Sequence, residues 1–281
     1  MERKDELVSV IIQPDFGTEF SNWGFLLRVA DGDLVDVKAM GGITQHEDQV
    51  GILQEGPDMV RWQSFLWCHY TALRLDIRHN GDAKIIFKDG DTLEVGNLTP
   101  CAGLFKSNQA GVMRVAVFEP LTDGMFSITP DTVIAGSRNC FDIDITVGES
   151  GIAEGGGIRV MTPFSSWTPP STDIQIASIE SSESVKFDSS LTRYGHSVFG
   201  WVFEVIVTEG CLQAGDRIKL RYEAPEGGVR VQSYPKDIVP FPTFIDRNGS
   251  GIYYPVSYAN TPGVRVKSGP GARIRLAAPM I

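Results

Sequence analysis

Only four histidines, His46, His69, His79 and His196, are available to this 281-residue chain for proton transfer near neutral pH. His46 lies in Gly41-Gly42-Ile43-Thr44-Gln45-His46-Glu47-Asp48-Gln49, where an imidazole stands beside two carboxylates. Those residue types together perform general acid–base work when they converge on a substrate. A polar loop of this kind is either a solvated connection or a binding loop held by a rigid scaffold. His69 shares an alternating apolar face with Trp67 and Leu73, where an imidazole must find a partner or stay neutral. It reads as a satisfied core histidine or as a partly desolvated acid–base group. His46, Glu47 and His69 are therefore the catalytic candidates.

Tyr70, Trp167, Arg193 and His196 are the substrate-binding candidates. Trp167, in Ser166-Trp167-Thr168-Pro169-Pro170, either anchors a packed loop or offers a face on which a sugar or aromatic ring could stack. His196 follows Arg193-Tyr194-Gly195 and opens a strand, on the face of Val198, Val202 and Glu204. His79 precedes an Asn-Gly turn and reads as a solvent-exposed strand end.

Other chemistries lack their residues. No HxH or HExxH cluster marks a metal site, and no GxSxG elbow marks a nucleophile. Cys68 and His69 are neighbours on an expected strand, so their side chains point to opposite faces. Gly155-Gly156-Gly157 precedes a strand and lacks the helix N-terminus of a phosphate cradle. The Asp-Gly pairs lack the spacing and distal Glu of a calcium loop. No cofactor is expected. Cys68, Cys101, Cys140 and Cys211 lie far apart and read as reduced, mostly buried thiols. Two glycosylation sequons, at Asn97 and Asn248, carry little weight without a secretion signal.

Charge narrows the partners. The chain has 25 Lys plus Arg against 35 Asp plus Glu, a formal net of −10. Through Gly124 there are 11 basic and 19 acidic residues; after it there are 14 and 16. No Lys/Arg run appears, so neither nucleic acid nor an anionic membrane is an expected partner. The charged N-terminus, Met1 to Glu6, runs into a short apolar stretch without a cleavage site, which makes a cytoplasmic location the expectation.

The elements that must position these groups are strands. Thirty Gly and sixteen Pro punctuate the chain, and no convincing amphipathic helix exceeds about three turns. Asp31-Gly32, Asn80-Gly81 and Asp89-Gly90 sit between strand-like runs as type I′ turn pairs do. They predict a hairpin of Trp23–Ala30 with Leu34–Met40, and a meander of Thr71–Arg78, Ala83–Phe87 and Thr92–Val95. Alternation from Trp62 to His79 reads as one long strand. Beyond Phe126 the runs Ile143–Val147, Ile158–Met161, Ile174–Ile179, Val198–Thr208 and Arg217–Tyr222 follow the rhythm of a sandwich. Ser178 to Ser190 reads as a loop or edge hairpin. The expected class is all-β, with two β domains, 1–124 and 125–281. The first is a barrel- or sandwich-like meander.

The second half also resembles a known module. Val133-Ile134-Ala135-Gly136-Ser137, Ile145-Thr146-Val147-Gly148-Glu149-Ser150-Gly151-Ile152 and Gly155-Gly156-Gly157-Ile158-Arg159 are similar to an immunoglobulin-like module. That module stands at the N-terminus of a bacterial family whose members usually continue into a metal-dependent hydrolase domain of the polymerase-and-histidinol-phosphatase (PHP) type. The likeness runs from about Ile128 to Pro279 and implies an immunoglobulin-like sandwich. The hydrolase domain's His and Asp ligands have no counterparts here, so no metal-binding residue carries over.

Three functions fit these residues. One is a cofactor-free lyase, isomerase or hydrolase acting on a small organic catabolite, a carbohydrate or an aromatic. Another is a non-catalytic accessory subunit of a separate metallohydrolase. The third is a carbohydrate-binding protein. Open sheet edges and many aromatics further predict a homodimer or hetero-complex, and the enzyme reading places its site in the first domain or between the domains.

Overall fold

Val8, Val10 and Ile12 alternate with Leu7, Ser9 and Ile11, and Leu73, Leu75 and Ile77 alternate with Arg74, Asp76 and Arg78. A strand built on either set turns one apolar row toward a core. The computed structural model describes residues 6–14, 23–40, 51–54, 56–64, 72–87, 92–100, 103–107, 111–119, 124–163, 167–169, 175–181, 184–193, 201–224, 227–257 and 259–269. Among them it contains strands and one short 3-10 turn but no α-helix. No helix of the described residues is long and apolar enough to cross a membrane.

Ten strands precede residue 118: β1 (Glu6–Pro14), β2 (Trp23–Ala30), β3 (Asp33–Met40), β4 (Gly51–Gln54), β5 (Met59–Ser64), β6 (Ala72–His79), β7 (Lys84–Phe87), β8 (Thr92–Glu94), β9 (Gly103–Ser107) and β10 (Gly111–Val117). They form two antiparallel five-stranded sheets, ordered β3-β6-β1-β10-β9 and β4-β5-β2-β7-β8. The apolar rows pair as the alternation requires, Val10 opposite Leu75 and Ile12 opposite Leu73. They meet Leu27, Val29, Val60, Ile85 and Phe87 of the other sheet in one core.

Two expected hairpins are corners instead. β2 pairs with β5 and β7, while β3 pairs with β6 in the other sheet. Asp31-Gly32 therefore carries the chain from one sheet to the other, as Asn80-Gly81 does between β6 and β7. The dipeptide supplies the positive φ that both connections need (Asp31 at 55°, Gly81 at 110°), but tight turns of this kind also serve where a strand bends between packed sheets. Of the expected meander only β7 and β8 pair as a hairpin, Ile85 opposite Leu93. The run from Trp62 to His79 is likewise two strands, β5 and β6, in different sheets.

The corners pack on each other. A Cβ on Gly32 would lie 2.8 Å from Ala83 Cβ and 3.1 Å from the Arg78 carbonyl. His79 is buried beside them, 6% exposed, which corrects its reading as an exposed strand end. It continues the core row of Leu73, Leu75 and Ile77, and its Nδ1 accepts the Gly81 N–H at 3.0 Å.

The later strands are β11 (Met125–Thr129), β12 (Thr132–Ile134), β13 (Arg138–Asn139), β14 (Phe141–Thr146), β15 (Gly157–Met161), β16 (Gln175–Glu180), β17 (Lys186–Arg193), β18 (Trp201–Glu209), β19 (Arg217–Tyr222), β20 (Val229–Arg230), β21 (Lys236–Pro240), β22 (Thr243–Asp246), β23 (Tyr254–Pro255) and β24 (Gly263–Lys267). The sheets β11-β14-β19-β16 and β17-β18-β15-β22-β23 enclose a sandwich core of Phe141, Ile143, Ile158, Val160, Phe203, Val205, Leu220 and Tyr222. A three-stranded sheet, β12-β24-β21, and a ribbon, β13-β20, complete this half. Ser178 to Ser190 spans parts of two edge strands, β16 and β17, in opposite sheets.

Gly32→Ala is expected to lower the free energy of unfolding by about 1–3 kcal/mol, since the packed corner must shift to admit the methyl group. A denaturant melt superimposable on that of the parent would refute the corner packing.

Candidate functional site

The outward face of the β17-β18-β15-β22-β23 sheet carries a connected polar cluster of Arg159, Ser190, Glu204 and Tyr253. Alternation sends Ile158, Val160, Phe203 and Val205 into the core and leaves Arg159 opposite Glu204 on the other face. Glu204 accepts three hydrogen bonds there. Its Oε1 accepts Arg159 Nε–H at 2.6 Å and the Tyr253 hydroxyl at 3.1 Å, and its Oε2 accepts the Ser190 hydroxyl at 3.2 Å. The Tyr253 ring covers the Arg159 guanidinium at 3.6 Å. Gly157 makes room for it, because a Cβ there would stand 3.1 Å from the phenol oxygen. Burial pushes the Tyr253 phenol well above its ordinary range, an effect that the Arg159 charge opposes.

Asp246, 1% exposed at the end of β22, shapes the next loop. Its carboxylate accepts N–H bonds from Asn248 (3.3 Å), Ser250 (3.1 Å) and Gly251 (2.6 Å), and the Ser250 hydroxyl at 3.3 Å. Burial raises the Asp246 pKa above the ordinary carboxylate value, and those donors only partly offset it. Gly249 and Gly251 turn within this loop at φ of 71° and 75°. The Gly155-Gly156-Gly157 amides are not an open cradle, since Gly155 N–H donates to Val207 and Gly156 N–H to Ala153.

This loop delivers residues 252–254 onto the first half. Ile252 and Tyr254 enter an apolar cluster with Ile11, Ala72 and Ala116 of the first five-stranded sheet. Gln13, 1% exposed, closes the joint: its Nε2–H donates to the Tyr253 carbonyl at 2.5 Å and its Oε1 accepts the Tyr253 N–H at 2.8 Å. Arg247 forms an ion pair with Glu119, and Arg114 Nη1 donates to the Ser250 carbonyl at 3.5 Å. Arg74 lies 4.5 Å over the Phe118 ring, which packs against Tyr254.

His46, Glu47, His69, Tyr70 and His196 lie outside the described residues. Arg193 ends β17, opposite Trp201. Trp167 is a core residue, 4% exposed. Its ring packs 5.3 Å from Phe141 and edge-on 5.8 Å from Phe241, and its Nε1–H donates to Gln232 at 3.4 Å. It anchors its loop and has no open face on which a substrate could stack, which corrects the binding assignment. Cys140 is exposed and Cys211 half-buried, so these two thiols are less buried than their spacing implied.

The sequence reading passed over Gln13, Asp246 and Tyr253. The only local signal was Asp246 ahead of Asn248-Gly249-Ser250-Gly251, a composition that forms Asx-type turns. An apolar recess lined by Phe126, Ile145, Val147, Ile152, Ile158 and Ile245 has no titratable side chain. Among the described residues no group of three or more His, Cys, Asp or Glu is placed to hold a metal ion.

No protein-family model matches the chain, and no curated protein matches it. Among solved structures it is similar to the N-terminal domain of the Streptococcus gordonii adhesin Sgo0707, with a TM-score of 0.34 and 9% identity. That match covers 93% of this chain and 56% of the adhesin structure, so the chain spans about half of its length. It is also similar to a type II cohesin dyad from the adaptor ScaA scaffoldin of Acetivibrio cellulolyticus, with a TM-score of 0.24, 11% identity, and coverage of 95% and 94%.

Replacing Gln13 with Ala orphans a buried N–H and a buried carbonyl, each costing about 1–3 kcal/mol. We expect the variant to be less stable and to lose the coincidence of its unfolding probes as the halves uncouple; a single transition at the parental midpoint would contradict this. Asp246 gives a pH test. Because its folded pKa is raised, the stability it contributes is fully present below the unfolded value, about 3.9. That contribution is lost as pH rises through the folded value. The stability gap between the parent and Asp246→Asn should widen as the solution is acidified, and a gap that narrows in acid would reverse the assigned direction.

Proposed function

We propose that the chain is a non-catalytic binding or accessory protein that holds two β domains in a fixed relation. The supporting observation is that the chain itself partners the buried polar groups at the joint. Glu204 has three donors and Asp246 four, and both polar ends of the Gln13 amide are engaged with backbone. Each of these bonds ties one element of the chain to another, so the polar groups at the joint serve its internal geometry. A division between 1–124 and 125–281 fits this reading, since described strands on either side of it pair only with their own side.

The acid–base alternative rests on His46, Glu47 and His69, and two measurements separate the readings. Under the binding reading, His46→Ala and His69→Gln leave partner binding unchanged, whereas Gln13→Ala weakens it by letting the domains reorient. A turnover by the purified chain that falls by about 10²-fold or more in a folded His46 or His69 variant would establish the enzyme instead.

A further inference from the structure

The corner that joins β6 to β7 places a base, an electrophile and a nucleophile in the consecutive residues His79, Asn80 and Gly81. The Gly81 N–H donates to His79 Nδ1 at 3.0 Å, so an imidazole lone pair already lies on that proton. Because Nδ1 accepts, the neutral ring carries its own proton on Nε2. That Nε2 is buried and has no hydrogen-bond partner among the described residues. A buried donor without a partner costs stability and calls for an explanation. Packing offers none, since an apolar side chain would continue the core row of Leu73, Leu75 and Ile77 at no such cost.

Asn80 supplies the electrophile. Its Oδ1 accepts the Asp82 N–H at 3.3 Å, a donor placed where negative charge collects if the side-chain carbonyl is attacked. Asn80 is exposed, so ammonia can depart into water and water can reach the product. Gly81 sits at φ 110° with no side chain to shield its nitrogen. On β1, Glu6 stands opposite His79 in register and on the same face, so a carboxylate faces the positive charge that develops on the ring.

We propose that Asn80-Gly81 is a self-modification site at which His79 acts as the base. His79 Nδ1 takes the Gly81 amide proton while that nitrogen bonds to Asn80 Cγ, and the carbonyl electron pair moves onto Oδ1. As the carbonyl re-forms, the Cγ–Nδ2 bond breaks, and Nδ2 leaves as ammonia with the proton held by the imidazolium. The imidazole is restored, and the chain holds a five-membered succinimide. Water then opens that ring at either carbonyl, giving Asp or isoaspartate at position 80. The net change is one water gained and one ammonia lost, with no oxidant or reductant. This reaction happens once per chain and is independent of the binding reading above.

A second Asn-Gly pair serves as an internal control. Asn248 is also exposed, and its Oδ1 accepts the Ser250 N–H at 3.3 Å, but no imidazole lies on the Gly249 N–H among the described residues. The full chain is held at neutral pH and sampled over time, and peptide mapping by mass spectrometry counts Asp plus isoaspartate at both positions. Asn80 should convert faster than Asn248 in the folded chain. Unfolding in guanidinium should slow Asn80, the reverse of the protection that folding gives an ordinary Asn-Gly pair. In folded His79→Gln the Asn80 rate should fall by about 10²-fold, the typical contribution of a general base, while Asn248 keeps its parental rate. Conversion at Asn80 no faster than at Asn248 in the folded parent overturns the proposal, as does a rate at Asn80 that rises on unfolding. If His79→Gln does not fold, the comparison of folded with denatured parent still decides. A folded His79→Gln that converts at the parental rate assigns the reactivity to exposure of the turn and overturns the role of His79.

Discussion

The architecture depends on one side-chain amide. Gln13 sits at the C-terminal end of β1, on the face of the first sheet that turns away from its own core, and exchanges two hydrogen bonds with the backbone of Tyr253. Alternation then does the rest. With the Tyr253 backbone held, its neighbours Ile252 and Tyr254 turn into the apolar cluster on the first half, while the Tyr253 ring turns back over Arg159 on the second. A single extended tripeptide therefore belongs to both halves at once. Both polar groups of the Gln13 amide are buried, so any rotation of one half against the other leaves donors or acceptors unpaired, at about 1–3 kcal/mol each.

The electrostatics follow from that constraint. Burying Tyr253 puts Arg159 and Glu204 under a ring and partly out of water, which is tolerable because they are paired and hydrogen-bonded. Asp246 accepts its desolvation because its carboxylate fixes the loop that delivers Tyr253; without those four bonds the amides of Asn248, Ser250 and Gly251 would have to find partners elsewhere. Ionisable groups perturbed by burial often mark a functional site. Here their partners are the chain's own backbone and side chains.

Much of the fold was legible, and for local reasons. Period-two alternation found β6, β14, β15 and β19, because a half-buried strand writes its two faces into sequence. Turn residues marked where strands end but not what they join. Asp31-Gly32 and Asn80-Gly81 have the composition of hairpin turns, yet they bend the chain between sheets, since the same positive φ serves either connection. Trp62 to His79 read as one strand because alternation does not record a change of sheet. His79 was misread for a related reason: proximity to a turn implied exposure, but a second corner packs against it. The joint was nearly invisible, because Gln13 and Tyr253 are 240 residues apart and neither type signals a partner.

Charge was the least legible property, and the reason is geometric. Counting along the chain finds no basic segment, since the exposed cations of β24, Arg265 and Lys267, are separated by buried Val266. A sheet converts that spacing into a surface. Residues two apart on one strand share a face with residues from its neighbours, so Arg265, Lys267, Ile134 and Ile238 meet although they span three strands. The net charge of −10 states how the molecule behaves at long range; the sign that a partner meets at contact is set by which strands lie side by side. In an all-β chain the second quantity is fixed only by topology, so a count along the chain excludes a basic run and leaves a basic face open.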